Sequence, residues 1–136
     1  MNIQGMAALV TGGGSGLGEA TARELARLGA KVAVLDVNLE GAQRVAADIG
    51  GAGLKCDITD TASLQAALDA AAAAHGPARI LMNIAGIGTA KRVVQKDGSA
   101  APLDDFAKVI NVNLIGTYNA SRLFAAACAR LDPLED

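Results

Sequence analysis

Short continuous apolar runs alternate along the chain with stretches in which apolar residues recur at helical spacing. Met6–Val10, Lys31–Asp36, Gly53–Asp57 and Arg79–Asn83 predict strands. Between them the spacing predicts helices over 16–28 and 39–49, each stopped by glycine at Gly29 and at Gly50-Gly51. A third helix, capped by Thr61 or Ser63, runs to about His75 and stops at Gly76-Pro77. A loop from Ile87 to Pro102 leads into a long helical pattern, Leu103 to about Leu131, ended by Pro133. Apolar strands alternating with helices predict an α/β fold, a Rossmann-type doubly wound parallel sheet covered on both faces. The whole of 1–136 reads as one domain, without a second domain, a repeat or a low-complexity linker.

Composition narrows the picture. The 136 residues suffice for one domain with a core of its own. With no tryptophan and only Phe106, Tyr118 and Phe124 as aromatics, that core is built from Val, Leu, Ile and Ala. A net charge of −2 and the lack of a basic stripe exclude a nucleic-acid partner. No signal peptide is visible, and no run reaches the roughly 18 apolar residues of a membrane span. Cys56 and Cys128 show no CxxC spacing, so two reduced, buried thiols in a cytoplasmic protein are expected. His75, the only histidine, has no triad or metal constellation around it and reads as a surface residue; no metal is expected.

The densest chemical signal is Thr11-Gly12-Gly13-Gly14-Ser15-Gly16-Leu17-Gly18, placed between an apolar strand and a helix. A strand, a tight glycine turn and a helix N-terminus make a phosphate cradle, where backbone N–H groups converge and the helix dipole favours an anion. Gly12 permits the turn, Gly16 lets the backbone approach a pyrophosphate, and Gly18 lets the helix pack close to the strand. Asp36 closes the next strand about 20 residues on, where a ribose hydroxyl needs an acceptor. A carboxylate there accepts from the adenosine ribose and repels a 2′-phosphate, which favours NAD over NADP; its alternative role is a cap before Leu39. Asp57-Ile58 either meets an adenine edge and face or begins the turn into the next helix. Asn83 fits a buried strand only with its amide hydrogen-bonded, and small Ala85 and Gly86 beside it allow close approach of a ligand. Asn111, Asn113 and Gly116 are poor helix-interior residues and suggest a kink or side chains used elsewhere.

Taken in series, Thr11-Gly-x-x-x-Gly16-x-Gly18, Asp57-Ile58, Asn83-Ile84-Ala85-Gly86 and Asn113-Leu-Ile-Gly116 resemble the motifs of the short-chain dehydrogenase/reductase family, over essentially the whole chain. The resemblance implies that Ser15, Leu17, Asp36, Asp57, Ile58 and Ile84 touch NAD, beside Thr11, Gly12, Gly16, Gly18, Asn83, Ala85 and Gly86 of the same motifs. It also implies that Asn113 is the catalytic asparagine of the family, holding a proton-relay water near a lysine. The family's Ser and Tyr-x-x-x-Lys are absent from these residues. Tyr118 is followed four positions later by Arg122, which cannot serve as a titratable partner, and Tyr118 reads as packing. The chain thus looks like the first half of a doubly wound domain plus its long interface helix, and alone it is expected to be inactive.

The loop Ile87–Pro102, with a turn signal at Asp97-Gly98, resembles that of the type 2 3-hydroxyacyl-CoA dehydrogenase (17β-hydroxysteroid dehydrogenase type 10) branch. This implies a small-molecule substrate, an acyl-CoA in that branch, with Lys91, Arg92 and Lys96 either near its phosphates or simply solvated. An acetoacetyl-CoA or 3-oxoacyl-carrier-protein reductase, or a non-catalytic NAD-binding fragment, are the alternatives. The helix 103–131 is apolar on more than one face, which points to a second partner surface. The family resemblance implies a homo-oligomer, dimer or tetramer, paired through this helix, the alternative being that the second half of the domain covers the surplus face within one chain.

Overall fold

A computed structural model describes residues 2–134. The chain runs β1 (Ala7–Thr11), α1 (Gly16–Arg27), β2 (Lys31–Asp36), α2 (Leu39–Ile49), β3 (Ala52–Lys55), α3 (Thr61–His75), β4 (Ala78–Asn83), α4 (Leu103–Ile110), a π-helical segment (Asn111–Gly116) and α5 (Thr117–Cys128). The strands form one parallel sheet in the order β3-β2-β1-β4. From β1 the chain steps outward through β2 to β3, then returns to lay β4 on the other side of β1. The reversal leaves a crevice at the carboxyl ends of β1 and β4, the place where such sheets bind ligands.

Alternation along the central strands builds a core on each face, because successive side chains point to opposite sides. Ala8, Val10, Val32 and Val34 pack under α1 and α2 with Ala22, Ala42, Val45 and Ala46. Leu9, Ala33 and Leu35 pack on the other face with Leu64, Ala67 and Ala71 of α3 and Ala120 of α5. The core is aliphatic, as the composition requires.

Several boundaries differ from the sequence pattern, each for a local reason. The third strand stops at Lys55. The Cys56 N–H still reaches Asp36 C=O at 2.9 Å, but the Asp57 N–H turns to the Ser63 hydroxyl and the Asp57 carboxylate takes the Thr59 N–H and hydroxyl. The cap of α3 is Asp60, not Thr61 or Ser63: its carboxylate accepts from the Ala62 and Ser63 N–H groups at 2.8 and 3.1 Å. The loop before α4 folds back at Asp97-Gly98, where Gly98 has φ +84° and Val94 bridges Ala100 antiparallel.

The long C-terminal helix is not continuous. The turn over Asn111–Gly116 widens to π geometry, which frees Asn113 to bond the loop after β4. Gly116 is needed there, because a Cβ would lie 2.7 Å from Ile58 Cγ1. One turn on, buried Asn119 donates to Ile58 C=O at 2.9 Å while its carbonyl accepts from Arg122 and Thr61. Asn119→Ala leaves the buried Ile58 carbonyl unpaired, so a loss of about 1–3 kcal/mol in unfolding free energy is expected, measured by urea titration; an unchanged midpoint would refute that role.

Candidate functional site

A cleft of about 660 Å³ opens at the carboxyl ends of the strands, lined by the glycine turn, the end of β2, residues 56–59, the segment 84–87 and the start of the π turn. Its floor depends on backbone contact. Gly12 has φ +66°, and a Cβ there would sit 2.7 Å from Ala85 Cα. Gly18 lies directly on Gly12, so that a Cβ would collide with the Gly12 carbonyl. Gly16 has φ +53°, and its Cβ position faces open space. Ser15 occupies the N-cap of α1 without a side-chain capping bond. The first amides of α1 therefore carry no side-chain cap from Ser15, at the end where the helix dipole favours an anion.

Most sequence-derived candidates line this cleft: Gly12, Ser15, Gly16, Leu17, Gly18, Asp36, Asp57, Ile58, Ile84, Ala85 and Gly86. Leu17 is 81% exposed beside it. Ile58 is 5% exposed, so it is chiefly a core residue whose edge reaches the cleft. Thr11, Asn83 and Asn113 stand outside the lining. Buried Thr11 accepts at Oγ1 from the Ile84 and Ala85 N–H groups at 3.2 and 3.3 Å, tying the end of β1 to the segment after β4. Asn83 donates to the Ser121 hydroxyl at 3.1 Å, bridging β4 to α5. Asn113 clamps Ile87 from both sides: Oδ1 accepts the Ile87 N–H at 2.8 Å and Nδ2 donates to its C=O at 2.7 Å.

Asp36 keeps both oxygens on backbone donors. Oδ2 accepts from the Gly14 N–H and Oδ1 from the Asn38 N–H, each at 2.9 Å. The cap of α2 is Asn38, whose Oδ1 accepts from the Gly41 N–H at 3.1 Å. Asp36 is thus a fixed carboxylate at the cleft wall rather than the cap of the next helix. Beside it, buried Cys56 touches the same cleft. Burial first, then the Asp57 and Asp36 charges, pushes its thiol from 9.0 up to about 12.

Two residues outside the cleft depart from their sequence reading. Tyr118 is not packed but 69% exposed. His75 is half-buried at the end of α3, and its Nε2 has no hydrogen-bond partner among the described residues. Phe124 packs against the core on the α3 face, whereas Phe106, at 62% exposure, does not. Asn119 and Arg44 carried no recognisable sequence signal, since each acts through one long-range backbone bond that spacing does not reveal.

The strand order, the glycine turn at the switch point and the acid ending β2 define a Rossmann-type α/β domain. The description "short chain dehydrogenase" matches residues 6–130, and the chain belongs to that family. It is 39% identical over 135 residues to the 3-hydroxyacyl-CoA dehydrogenase type-2 of Bos taurus, covering 97% of this chain and 52% of that protein. The crystal structure of 3-hydroxyacyl-CoA dehydrogenase type-2 from Mycobacterium avium superposes with TM-score 0.88 at 39% identity, over 96% of this chain and 52% of that one. A 3-ketoacyl-(acyl-carrier-protein) reductase from Brucella melitensis, complexed with NADH, gives TM-score 0.82 at 37% identity, over 92% and 51%. The chain spans about half the length of these relatives. Among the described residues no helix is long and apolar enough to cross a membrane.

The Cys56 environment has a direct readout. The thiol stays protonated through neutral and mildly alkaline pH, so in the folded protein it should resist an aromatic disulfide reagent at pH 8 and react once denaturant is added. A raised folded value also means stability that is present below pH 9 and lost as pH rises toward 12; a Cys56→Ala variant should show a smaller alkaline loss in thermal melts, and an identical loss would count against it.

Proposed function

We propose that this chain supplies the adenosine-binding half of an NAD-dependent dehydrogenase that interconverts a secondary alcohol and a ketone. The fixed Asp36 carboxylate at the cleft wall carries this reading. It presents a negative acceptor to a ribose hydroxyl and opposes a 2′-phosphate. Gly12, Gly16 and Gly18 shape the turn, Ser15 and Leu17 flank the phosphate path, and Asp57, Ile58 and Ile84 wall the adenine side. Thr11 ties the segment after β4 to the end of β1, Ala85 abuts Gly12, Gly86 leaves room in the cleft wall, and Asn83 bridges β4 to α5. When bound, the nicotinamide ring accepts or donates the hydride. Asn113 fixes the Ile87 backbone at the edge of the cleft. These residues include no Tyr-x-x-x-Lys, and the chain by itself is inactive in this reading.

The substrate class follows the relatives, and a 3-hydroxyacyl-CoA is the first choice. A second cleft of about 480 Å³ between the loop and α4 supports it, lined by Lys91, Arg92, Val93, Phe106 and Asn113 among others. Lys91 is paired with Asp105, whereas Arg92 and Lys96 make no ion pair among the described residues. The apolar surface of Leu103, Phe106, Leu114, Ile115 and Tyr118 supports a homo-oligomer assembled through the helix 103–131. No bound nucleic acid or membrane enters this reading, and its setting is cytoplasmic.

Calorimetric titration should show tighter binding of NAD+ than of NADP+, with the gap narrowed by Asp36→Ala; equal affinities in the unmodified protein would sink the NAD assignment. Light scattering on the intact protein at micromolar concentration should give a multiple of its single-chain mass, reduced by Phe106→Glu or Tyr118→Glu; a monomeric mass would remove the interface.

A further inference from the structure

Gly14 is the one residue of the glycine turn held by side chains at both of its backbone groups. Its N–H donates to Asp36 Oδ2 at 2.9 Å, and its C=O accepts from an Arg44 terminal nitrogen at 3.1 Å. The two groups lie on either side of one Cα, so together they fix the φ and ψ of that residue. The restraint matters because glycine has no Cβ to limit its rotation. A larger residue would crowd this arrangement, since a Cβ would stand 3.0 Å from both Ala42 N and Asp36 Oδ2. Gly41 leaves the passage for the carbonyl, its own Cβ position lying 3.0 Å from Gly14 O.

Arg44 is itself anchored. Its two terminal nitrogens meet the two Glu19 oxygens at 3.1 and 2.7 Å. Glu19 also accepts from Arg23 at 3.0 and 2.8 Å, and Arg23 reaches Asp48 at 2.7 Å. Hydrogen bonds from Arg44 first and Arg23 second draw the Glu19 carboxyl down to about 2, so the anchor stays charged through the working pH range. Glu19 lies in the first turn of α1 and Arg44 in α2. The network therefore joins the helix that opens the phosphate cradle to the helix that follows Asp36. Exposed ion pairs of this kind add little to stability. Their effect here is directional, because the rigid Arg44 fork, seated on Glu19, aims one terminal nitrogen at the Gly14 carbonyl.

We propose that Arg44, anchored by Glu19, is a positioning residue that sets cofactor preference through Gly14 and Asp36 without touching the ligand. The proposal rests on Asp36 being the ribose acceptor. Releasing the Gly14 carbonyl lets the residue rotate, misaligns its N–H, and frees the Asp36 carboxylate to swing from the orientation that meets a ribose hydroxyl.

The test is titration of NAD+ and NADP+ into the unmodified protein and the variants Arg44→Met, Arg44→Lys, Asp36→Ala and Asp36→Ala/Arg44→Met, with thermal melts alongside. Arg44→Met should weaken NAD+ by about tenfold, the scale of one hydrogen bond to a charged group, while NADP+ changes little, so the preference narrows. Arg44→Lys keeps the charge but loses the fork and should recover little of it, and Arg44→Met should not alter the ratio further in the Asp36→Ala background. Simple loss of a positive charge acts in the opposite sense, because it weakens the more highly charged NADP+ more and widens the preference. A widened or unchanged ratio in Arg44→Met, with or without a lower melting temperature, overturns the proposal. If Arg44→Met fails to fold, Glu19→Gln loosens the same fork at nearly constant size and must narrow the ratio; an unchanged ratio there overturns it equally. A normal Asp36→Ala effect beside an unchanged Arg44→Met ratio defeats Arg44 alone. No preference in the unmodified protein defeats the Asp36 reading and this proposal with it.

Discussion

The contact on which the site depends is backbone against backbone, where the turn after β1 meets the start of α1 and the segment after β4. Gly18 rests on the Gly12 carbonyl and Gly12 rests on Ala85, with no space for a Cβ at either glycine. A sheet and helix separated by ordinary side chains would stand farther apart, and the amides opening α1 would not reach the mouth of the crevice. Thr11 supports the same junction from below with its bonds to the Ile84 and Ala85 N–H groups. Shape and electrostatics thus have one origin, since the approach that narrows the crevice also aims the helix dipole into it.

Around that junction polar side chains work mainly on backbone. Asp36 holds Gly14 and Asn38, Asn113 holds Ile87, Asn119 holds Ile58, and Arg44 holds Gly14. Each bond fixes a loop at the carboxyl end of a strand, where irregular backbone would otherwise be loosest. The aliphatic interior contributes little to this precision, because Val, Leu and Ala set the spacing of layers and not the angle of a peptide. The division explains how a chain with one tyrosine, two phenylalanines and no tryptophan builds a defined cleft.

The other side of the molecule is less complete. β4 pairs with β1 on one edge and with no strand on the other among the described residues. α4 has no buried residue, and Phe106, Leu114 and Tyr118 project outward. The relatives are about twice as long as this chain.

By itself the sequence determined the parallel α/β architecture, since unbroken apolar strands demand cover on both faces and the helical spacing supplies it. It also located the glycine turn, the acid ending the second strand and the turn at Asp97-Gly98, because each depends on residues adjacent in the chain. Tertiary structure alone decided which helix face meets which residue. It exposed Tyr118 and packed Phe124, which stand six residues apart and so on different faces of α5, only one of which meets the sheet and α3. It moved the cap of α3 to Asp60 by engaging Ser63 with Asp57. It turned Asn113 toward Ile87 and Arg44 toward Gly14 across 26 and 30 positions of chain. Those partners are set by the docking of whole elements, a long-range condition that local spacing does not encode.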